Sequence, residues 1–227
     1  MIDYRVMVQA RMSSNRFPGK VLAPLGGKPV IAHVLSRICE AVPRERVVLV
    51  TSEDASDDPL ATYVRTALEL MVFRGSLDDV AGRFQACLHA LPCEWFVRIC
   101  GDSPAIDPEL LGWMLERVSD DLDLLTNVAE RTFPTGESIE IVRARTFLAL
   151  GAGDLTPEER EHVTLGLYRH PERYRIRSVV AADPTLASRR LVVDTLEDLR
   201  ALERILSRDP GLSRGYAVHA RLGRGPV

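Results

Sequence analysis

The sequence contains no long apolar run. Across its 227 residues, no uninterrupted apolar stretch approaches the roughly 20 residues that a membrane-spanning helix requires. The amino terminus passes through a few mixed residues directly into an apolar strand, which is not the pattern of a secretory signal peptide. We therefore expect a cytoplasmic protein that does not bind membranes.

Cysteine and histidine are scarce and scattered. The 4 cysteines form no Cys-x-x-Cys pair, and none of the 5 histidines stands at zinc-ligand spacing from a cysteine or a second histidine. The sequence therefore lacks the signature of a zinc site or of a disulfide framework. Reduced thiols in a cytosolic protein are the expectation.

Basic charge is not in excess either. The formal net charge is −3, whereas general nucleic-acid binding requires a basic surface, so we expect no nucleic-acid partner. Hydrophobic content of 46% and charged content of 27% are those of an ordinary globular chain. We find no internal repeat, low-complexity tract or linker, and interpret residues 1–227 as one domain.

What the sequence does contain is an alternation of apolar strands with amphipathic helices. Strands are predicted at residues 4–8, 46–51, 70–73, 95–100 and 122–126. Helices are predicted from Pro29, at 59–69, at 78–90 and at 108–118. This alternation predicts right-handed crossovers and an α/β fold with a doubly wound, mostly parallel sheet.

The rhythm changes after residue 126. A strand is predicted at 138–142, a helix from the Thr156 capping box to about 168, and a strand at 173–180. A short strand at 191–193, a helix at about 196–207 and a loose tail from Asp209 complete the prediction. We interpret residues 127–180 as an arm inserted into the domain.

The loop after the first strand combines cationic and hydroxyl side chains: Arg11, Arg16, Lys20, Ser13 and Ser14. Gly19 lets the backbone approach a ligand closely. Fixed guanidinium and ammonium groups at the carboxyl end of a strand suit a polyphosphate. The alternative is a solvated surface loop with ordinary charges.

Two aspartates follow buried strands far apart in the sequence. Asp102 comes after the strand at 95–100, and Asp194 after the strand at 191–193. Because ligands bind at the carboxyl ends of parallel strands, both carboxylates can meet the cationic loop. Mg²⁺ takes one or two carboxylates together with phosphate oxygens. The alternatives are a turn residue for Asp102 and a helix cap for Asp194.

These segments resemble a known family. Gln-Ala-Arg-x-x-Ser-x-Arg-Phe-Pro-Gly-Lys from Gln9, Gly-Asp-Ser-Pro from Gly101 and Val-Asp-Thr-Leu-Glu-Asp-Leu from Val193 are similar to motifs of cytidylyltransferases of the CMP-sugar synthetase type. The SpsF-like proteins of spore-coat polysaccharide biosynthesis are the most similar branch. The resemblance implies a Rossmann-like nucleotidyltransferase fold, a homodimer formed by the inserted arm, and CTP, Mg²⁺ and a small acidic acceptor as ligands.

The resemblance also assigns site residues. The catalytic set that it implies is Arg11, Lys20, Asp102 and Asp194, with the two aspartates as metal ligands. The nucleotide-binding set is Ala10, Arg11, Ser14, Arg16, Lys20, Thr51 and Arg74. The acceptor-binding set is Arg74, Glu140, Glu161 and His162.

Several of these assignments have plain alternatives. Arg74 can be a solvated strand-end residue, and Glu140 can belong to a polar hairpin. Glu161 and His162 can lie on a dimer helix instead of the acceptor pocket. The predicted reaction is transfer of CMP from CTP to a sugar acid, a sugar or polyol phosphate, or a phosphonate, with release of pyrophosphate. The alternatives are a glycosyltransferase, for which Asp121-x-Asp123 is misplaced before its strand, and a non-catalytic nucleotide-binding protein.

Overall fold

An eight-stranded sheet forms the centre of the protein in the computed structural model, which describes residues 2–151, 155–209 and 220–223. The strand order is β10-β9-β7-β8-β6-β1-β4-β5. The eight strands are β1 (Tyr4–Gln9), β4 (Val47–Ser52), β5 (Met71–Gly75), β6 (Trp95–Cys100), β7 (Leu124–Thr126), β8 (Glu140–Arg143), β9 (Ile176–Ala181) and β10 (Ala220–Leu222). A separate hairpin consists of β2 (Pro24–Leu25) and β3 (Lys28–Pro29).

The sheet is mostly parallel, as the alternating pattern predicts. Strands β5, β4, β1 and β6 run in one direction, and β8 is antiparallel to both of its neighbours, β6 and β7. The inner strands are apolar on both faces because each face is covered by its own apolar cluster. This arrangement confirms the predicted α/β fold class.

Eight helices flank the sheet and the hairpin in the described part of the chain. They are α1 (Val30–Ala41), α2 (Asp58–Thr66), α3 (Val80–Ala90), α4 (Pro108–Leu115), α5 (Ala144–Leu148), α6 (Pro157–Glu161), α7 (Leu165–Arg169) and α8 (Leu196–Arg208). Helix α1 begins one residue after the predicted Pro29, which pairs in the hairpin. Helix α8 packs against that hairpin through Leu199 and Leu202, which fixes the segment before it near the first loop.

The direction of the crossovers changes beside β1. The chain places β4 and β5 on one side of β1 and β6 on the other. In open α/β sheets, ligands bind outside the carboxyl ends of the strands at such a switch point. The loops after Gln9 and Cys100 meet there, because these two residues are register partners.

One predicted helix is broken in two. The Thr156 capping box is confirmed, but α6 ends at Glu161 and α7 begins at Leu165. Between them Val163 and Thr164 are buried, and the Thr164 hydroxyl donates to Glu140 of β8 at 2.7 Å. The two side chains at the break therefore face the interior, and one of them contacts the sheet.

The predicted strand at 191–193 is wrong. The backbone N–H of Leu191 donates to Thr135 at 2.7 Å, and that of Val193 donates to Asp102 at 2.9 Å. These partners belong to two different segments, so no ladder forms and only an isolated bridge joins Thr135 to Arg190. The segment is extended, and its hydrogen bonds connect the loop that contains Thr135 with the loop that contains Asp102.

Two boundaries near the carboxyl terminus also differ from prediction. Strand β9 begins at Ile176, so Arg173 and Arg175 precede it. The tail predicted to be loose contains β10, which pairs antiparallel with β9. The other residues of that predicted tail, 210–219 and 224–227, lie outside the described residues.

The segment predicted as an inserted arm contributes directly to the sheet. Strand β8 pairs with β6 and β7, and β9 pairs with β7. The segment therefore places side chains beside those of the central strands. Its role in forming a homodimer remains a prediction.

Candidate active site

A cavity of about 380 Å³ opens at the carboxyl ends of β1 and β6. It is lined by the first loop, the end of β6, the first residue of α3 and the end of α6. The lining residues are Gln9, Ala10, Arg11, Ser13, Ser14, Asn15, Arg16, Lys20, Val21, Val80, Arg98, Cys100, Asp102, Glu161 and His162. Most of the residues predicted from the cationic loop and from Glu161-His162 are therefore at one cavity.

The backbone of the cationic loop is held by Asp57. The Met12 N–H donates to the Asp57 carboxylate at 2.6 Å, and the Met12 carbonyl accepts from Ser14 and Gly19 at 3.0 and 2.8 Å. Gly19 has φ of 75°, a left-handed conformation that suits glycine. These bonds fix the loop through its main chain and leave its cationic side chains directed at ligands or partners.

Lys20 joins the two predicted aspartates. Its ammonium nitrogen lies 2.6 Å from Oδ2 of Asp102 and 3.0 Å from Oδ1 of Asp194. The Lys20 side chain is only 12% exposed. Burial by itself lowers the pKa of Lys20, but Asp102 and Asp194 outweigh that effect and the pKa is raised. The lysine is a permanent cation between two carboxylates.

Asp194 is surrounded by cations. Arg16 contacts its Oδ1 at 3.1 Å, and Arg190 contacts its Oδ2 at 2.6 Å. Burial raises the pKa of Asp194, but the bonds from Lys20 and Arg190 prevail and lower it overall. The carboxylate is therefore ionised at neutral pH.

Asp198 fixes the backbone on which Asp194 stands. Its carboxylate accepts from the N–H groups of Asp194 and Thr195 at 3.0 and 2.9 Å, as part of the capping box of α8. Arg190 also donates to Asp198 at 2.8 Å and lowers the pKa of that carboxyl to about 2. The alternative of Asp194 as the helix cap is excluded, because Thr195 is the N-cap residue.

Gly101 brings Asp102 close to β1. A Cβ atom at Gly101 would lie 2.7 Å from Cβ of Ala10 and 2.9 Å from Cδ1 of Ile31, so only glycine fits without displacement. The Asp102 carbonyl accepts from the N–H of Val193, the residue before Asp194. Backbone contacts therefore hold the two aspartate segments side by side.

An ion pair crosses from the cationic loop to α6. Arg11 lies 3.3 Å from Glu161, and the two side chains are 37% and 56% exposed. Arg160 contacts Asp79, the N-cap residue of α3, at 3.1 Å. His162, the C-cap of α6, lines the same cavity. The structure thus brings Glu161 and His162 to the site.

Four predicted site residues are not among those that line the cavity. Asp194 is one of them, but it contacts the lining residue Lys20 at 3.0 Å. Thr51 is fully buried, and its hydroxyl donates to Asp57 at 3.1 Å. Arg74 turns toward the loop after β4, where it donates to the Ser52 carbonyl at 2.7 Å and contacts Asp58 at 2.7 Å. Glu140 is buried under the floor of the cavity. In this structure Thr51 and Arg74 contact the segment after β4, and their predicted roles in binding the nucleotide or acceptor remain predictions.

Glu140 instead supports a cavity residue that the prediction omitted. Its carboxylate is ion-paired with Arg98 of β6 and accepts from the hydroxyl groups of Thr164 and Tyr168, each at 2.7 Å. The sequence signal was an arginine that interrupts an apolar strand. Cys100 also lines the floor, where burial raises its thiol pKa to about 11. This thiol is neutral at physiological pH.

The discounted Asp-x-Asp pair lies at the other edge of the sheet. Asp123 precedes β7, accepts from Thr146, and accepts from the Arg175 N–H at 3.0 Å. Asp121 is paired with Arg177 at 3.5 Å. Because β7 runs parallel to β6, the amino end of β7 is opposite the cavity edge. These contacts are structural.

No group of three or more His, Cys, Asp or Glu side chains suited to a metal ion occurs among the described residues. The same part of the chain contains no helix long and apolar enough to cross a membrane. Two carboxylates, those of Asp102 and Asp194, lie together on the Lys20 ammonium, whereas the Glu161 carboxylate of the same cavity is paired with Arg11.

Comparison with known proteins identifies relatives of this chain. The chain is 32% identical to the spore coat polysaccharide biosynthesis protein SpsF of Bacillus subtilis, over 89% of this chain and 86% of that protein. It is 30% identical to a 3-deoxy-manno-octulosonate cytidylyltransferase of Mesorhizobium japonicum, over 87% of this chain and 85% of the relative. A solved cytidylyltransferase of Leptospira borgpetersenii superposes with a TM-score of 0.83 at 26% identity, covering 93% of this chain and 97% of that one.

The family model described as Cytidylyltransferase matches residues 5–209. That range includes the cationic loop and both aspartates. The predicted resemblance and the predicted enzyme class are thereby confirmed, and the chain belongs to the cytidylyltransferase family of nucleotidyltransferases.

Proposed function

We propose that this cytidylyltransferase transfers CMP from CTP to a small acceptor that carries an anionic group, with release of pyrophosphate. The observation that supports the proposal best is that Lys20, which lines a cavity together with several arginines, contacts both Asp102 and Asp194. An acceptor oxygen attacks the α-phosphorus in line and forms the new P–O bond. The bond from that phosphorus to the β-phosphate oxygen breaks, and pyrophosphate leaves with the electron pair.

The cationic loop is proposed to bind the leaving group. Phosphoryl and nucleotidyl transfers depend chiefly on positioning and charge neutralisation. Arg11 and Arg16 are 37% and 65% exposed at their side chains, so both can turn to phosphate oxygens. Lys20 is fixed and nearly buried, and supplies a charge at a constant position. Ser14 of the same loop is a candidate hydroxyl donor.

The aspartates fit a divalent ion only with help from the nucleotide. Asp102 and Asp194 offer two carboxylates, and Mg²⁺ accepts such a pair when phosphate oxygens complete its shell. The donor set is all oxygen, which favours Mg²⁺ or Mn²⁺ over a soft metal. Such an ion, when bound, offsets charge on the phosphates. We propose Mg²⁺ in this role.

The acceptor class rests on chemistry and on the relatives. The name of the Mesorhizobium japonicum relative identifies a sugar acid as its acceptor. An ionised carboxylate or phosphate of the acceptor needs no general base, whereas a sugar hydroxyl must lose its proton as it attacks. A sugar acid, a sugar or polyol phosphate, or a phosphonate each fits the proposal.

A pyrophosphate-release screen tests the proposed function. Four nucleoside triphosphates are tested with Mg²⁺ or Mn²⁺ against sugar acids, sugar phosphates, polyol phosphates and their neutral analogues. The expected result is release with CTP and at least one anionic acceptor, and none without divalent ion. Release without any acceptor, or with neutral analogues alone, contradicts the proposal.

The homodimer, which the family resemblance implies, and the cytoplasmic location, which the sequence pattern predicts, are further proposals. Sedimentation velocity on the full chain tests the first. A dimer mass across a tenfold dilution is the expected result, and a monomer at all concentrations contradicts it. Fractionation of the producing cells tests the second.

A further inference from the structure

A row of polar side chains crosses the sheet beneath the cavity. Arg98 of β6 is the register partner of Glu140 of β8, which in turn is the partner of Thr126 of β7. On the other side, the Arg98 Nε donates to Gln9 of β1 at 3.1 Å. Four adjacent strands therefore contribute to one hydrogen-bonded row. On the same face of the sheet, Met7, Phe96 and Val142 belong to one apolar cluster.

Helix α7 and its N-cap residue Thr164 cover one end of the row. The Tyr168 hydroxyl lies 2.8 Å from Thr126 and donates to Glu140, and Thr164 donates to the same carboxylate oxygen. Burial raises the pKa of the Tyr168 phenol, so it stays protonated and remains a donor. Glu140 is 3% exposed at its side chain and is satisfied by three partners. Such a network holds the arginine in one orientation.

Arg98 is the member of the row that reaches the cavity. Its Nε and Nη1 bind Gln9 and Glu140, whereas Nη2 has no hydrogen-bond partner among the described residues. Nη2 does not belong to the buried polar atoms that lack a partner in the described residues, so it is accessible to solvent. The Arg98 side chain as a whole is 15% exposed. The accessible edge of the guanidinium therefore faces the cavity that Arg98 and Gln9 both line.

We infer that Arg98 is the acceptor-binding residue that determines specificity, and that its free guanidinium nitrogen binds a carboxylate or phosphate oxygen of the acceptor. This inference rests on the proposed transfer reaction and names the residue that selects its substrate. Gln9 supplies a neighbouring donor, because its amide oxygen is occupied by Arg98 and its NH₂ group remains. Two adjacent donors match a planar or tetrahedral oxyanion.

The charge balance separates this site from the triphosphate site. Glu140 neutralises the charge of Arg98, so the ion pair adds little net attraction for a highly charged triphosphate. The Nη2 group of Arg98 still supplies a directional hydrogen-bond donor. In the first loop, Arg11 and Arg16 pair with Glu161 and Asp194, whose side chains are 56% and 19% exposed, compared with 3% for Glu140. An acceptor with one anionic group is therefore the better match for Arg98. The residues that hold the Arg98 guanidinium in place, Glu140, Thr164 and Tyr168, are positioning residues.

The decisive variant is the double substitution Arg98→Gln with Glu140→Gln, which removes both charges of the buried pair and avoids an unpaired carboxylate. Arg98→Lys is the second variant and keeps the charge. The matched control is Arg143→Gln, which removes another buried arginine of the same strand pair, one that contacts Glu94 and Asp120 away from the cavity.

Steady-state kinetics with pyrophosphate release measure KM for CTP and for the acceptor separately. The double variant is expected to raise the acceptor KM at least about tenfold, to change the CTP KM less than about twofold, and to lose its preference for anionic over neutral acceptors. Arg143→Gln is expected to change neither KM. A rise in CTP KM alone, or unchanged acceptor selectivity, overturns the inference.

Equilibrium binding gives a readout independent of turnover. Calorimetric titration of the full chain with gluconate, glycerol 3-phosphate and glycerol compares the carboxylate, phosphate and neutral classes. At least one anion is expected to bind the wild-type chain and to bind the double variant at least about tenfold more weakly. Equal binding to both proteins, or no anion binding to wild type, overturns the inference. Absence of CTP-dependent turnover with this binding pattern intact contradicts the proposed function alone.

Discussion

The ammonium nitrogen of Lys20 lies 3.0 Å from the carboxylate of Asp194, which stands 174 positions later in the chain. The same nitrogen is 2.6 Å from Asp102. A lysine at the start of the domain and an aspartate near its end are thus parts of one electrostatic unit. The predictions that follow test what each member of this unit and its neighbours contribute.

Replacing either aspartate is expected to remove most of the activity. Asp102→Asn or Asp194→Asn keeps the side-chain volume but deletes one of the two anionic oxygen ligands. We expect the rate of pyrophosphate release to fall about 10²- to 10³-fold, by analogy with the loss of one transition-state contact. A variant that turns over at the normal rate contradicts the proposed metal role of that residue.

Lys20 is expected to compete with a divalent ion for the carboxylates. Lys20→Met removes a cation from between Asp102 and Asp194 and leaves two negative groups without it. In the absence of nucleotide, Mn²⁺ measured by electron paramagnetic resonance should bind the variant about tenfold more tightly than wild type, a change of about 1.4 kcal/mol. Asp102→Asn in the same background is the control and should abolish the gain. Equal Mn²⁺ affinity refutes the competition.

Asp198 is expected to make stability depend on acidic pH. Its folded-state pKa of about 2 is below its usual value of 3.8, so its contribution is complete above pH 4 and is lost as pH falls toward 2. Asp198→Asn should lower the free energy of unfolding by about 2 kcal/mol at pH 7. Denaturant melts at several pH values should show that the difference from wild type shrinks below pH 4. A constant difference contradicts the assignment.

The Arg11–Glu161 pair is expected to restrain Arg11 rather than to stabilise the fold. Both side chains are substantially exposed, so Glu161→Gln should change the free energy of unfolding by less than about 1 kcal/mol. The freed Arg11 should lower KM for CTP about two- to fivefold. Glu158→Gln, which loses a pair with Arg169 on the same helix, is the control. A raised CTP KM in the Glu161 variant would show that Glu161 assists binding.

Gly101 is expected to tolerate no side chain. Gly101→Ala places a methyl group 2.7 Å from Ala10 and 2.9 Å from Ile31, a cost of about 1–3 kcal/mol. Gly112→Ala on α4 is the matched control, because nothing lies within 4 Å of the added methyl. It should stabilise the protein by about 0.5–1 kcal/mol. Thermal melts distinguish the two, and equal effects refute the close packing at Gly101.

Much of the fold follows from local pattern. Strand β4 begins with four apolar residues, and β6 is apolar except for Arg98, a composition typical of buried parallel strands. The meeting of Asp102 and Asp194 follows from the rule that strand carboxyl ends share an edge. The prediction is correct even though the segment before Asp194 is not a strand. The Val193 N–H donates to the Asp102 carbonyl, and this hydrogen bond places the segment at the same edge.

The remaining features depend on contacts that sequence patterns do not record. Asp57 lies in an acidic stretch, and nothing local shows that it binds the Met12 N–H of a loop 45 positions earlier. Arg74 and Glu140 are in suitable segments, but side-chain direction is set by partners from other strands. At the break between α6 and α7, likewise, Thr164 donates a hydrogen bond to the buried Glu140 carboxylate, a partner that the local sequence does not reveal.

The hydrogen bond from the Met12 N–H to Asp57 fixes the backbone path of the first loop without using the side chains of residues 13–16. Because the Met12 amide and carbonyl and the left-handed Gly19 define the turn, residues 13–16 can change identity without changing the path of the chain. Divergence at these four positions would alter which ligand is held while the scaffold persists. Asp57, Met12 and Gly19 thus belong to the architecture, and the residues between Met12 and Phe17 are where new substrate preferences can evolve or be engineered.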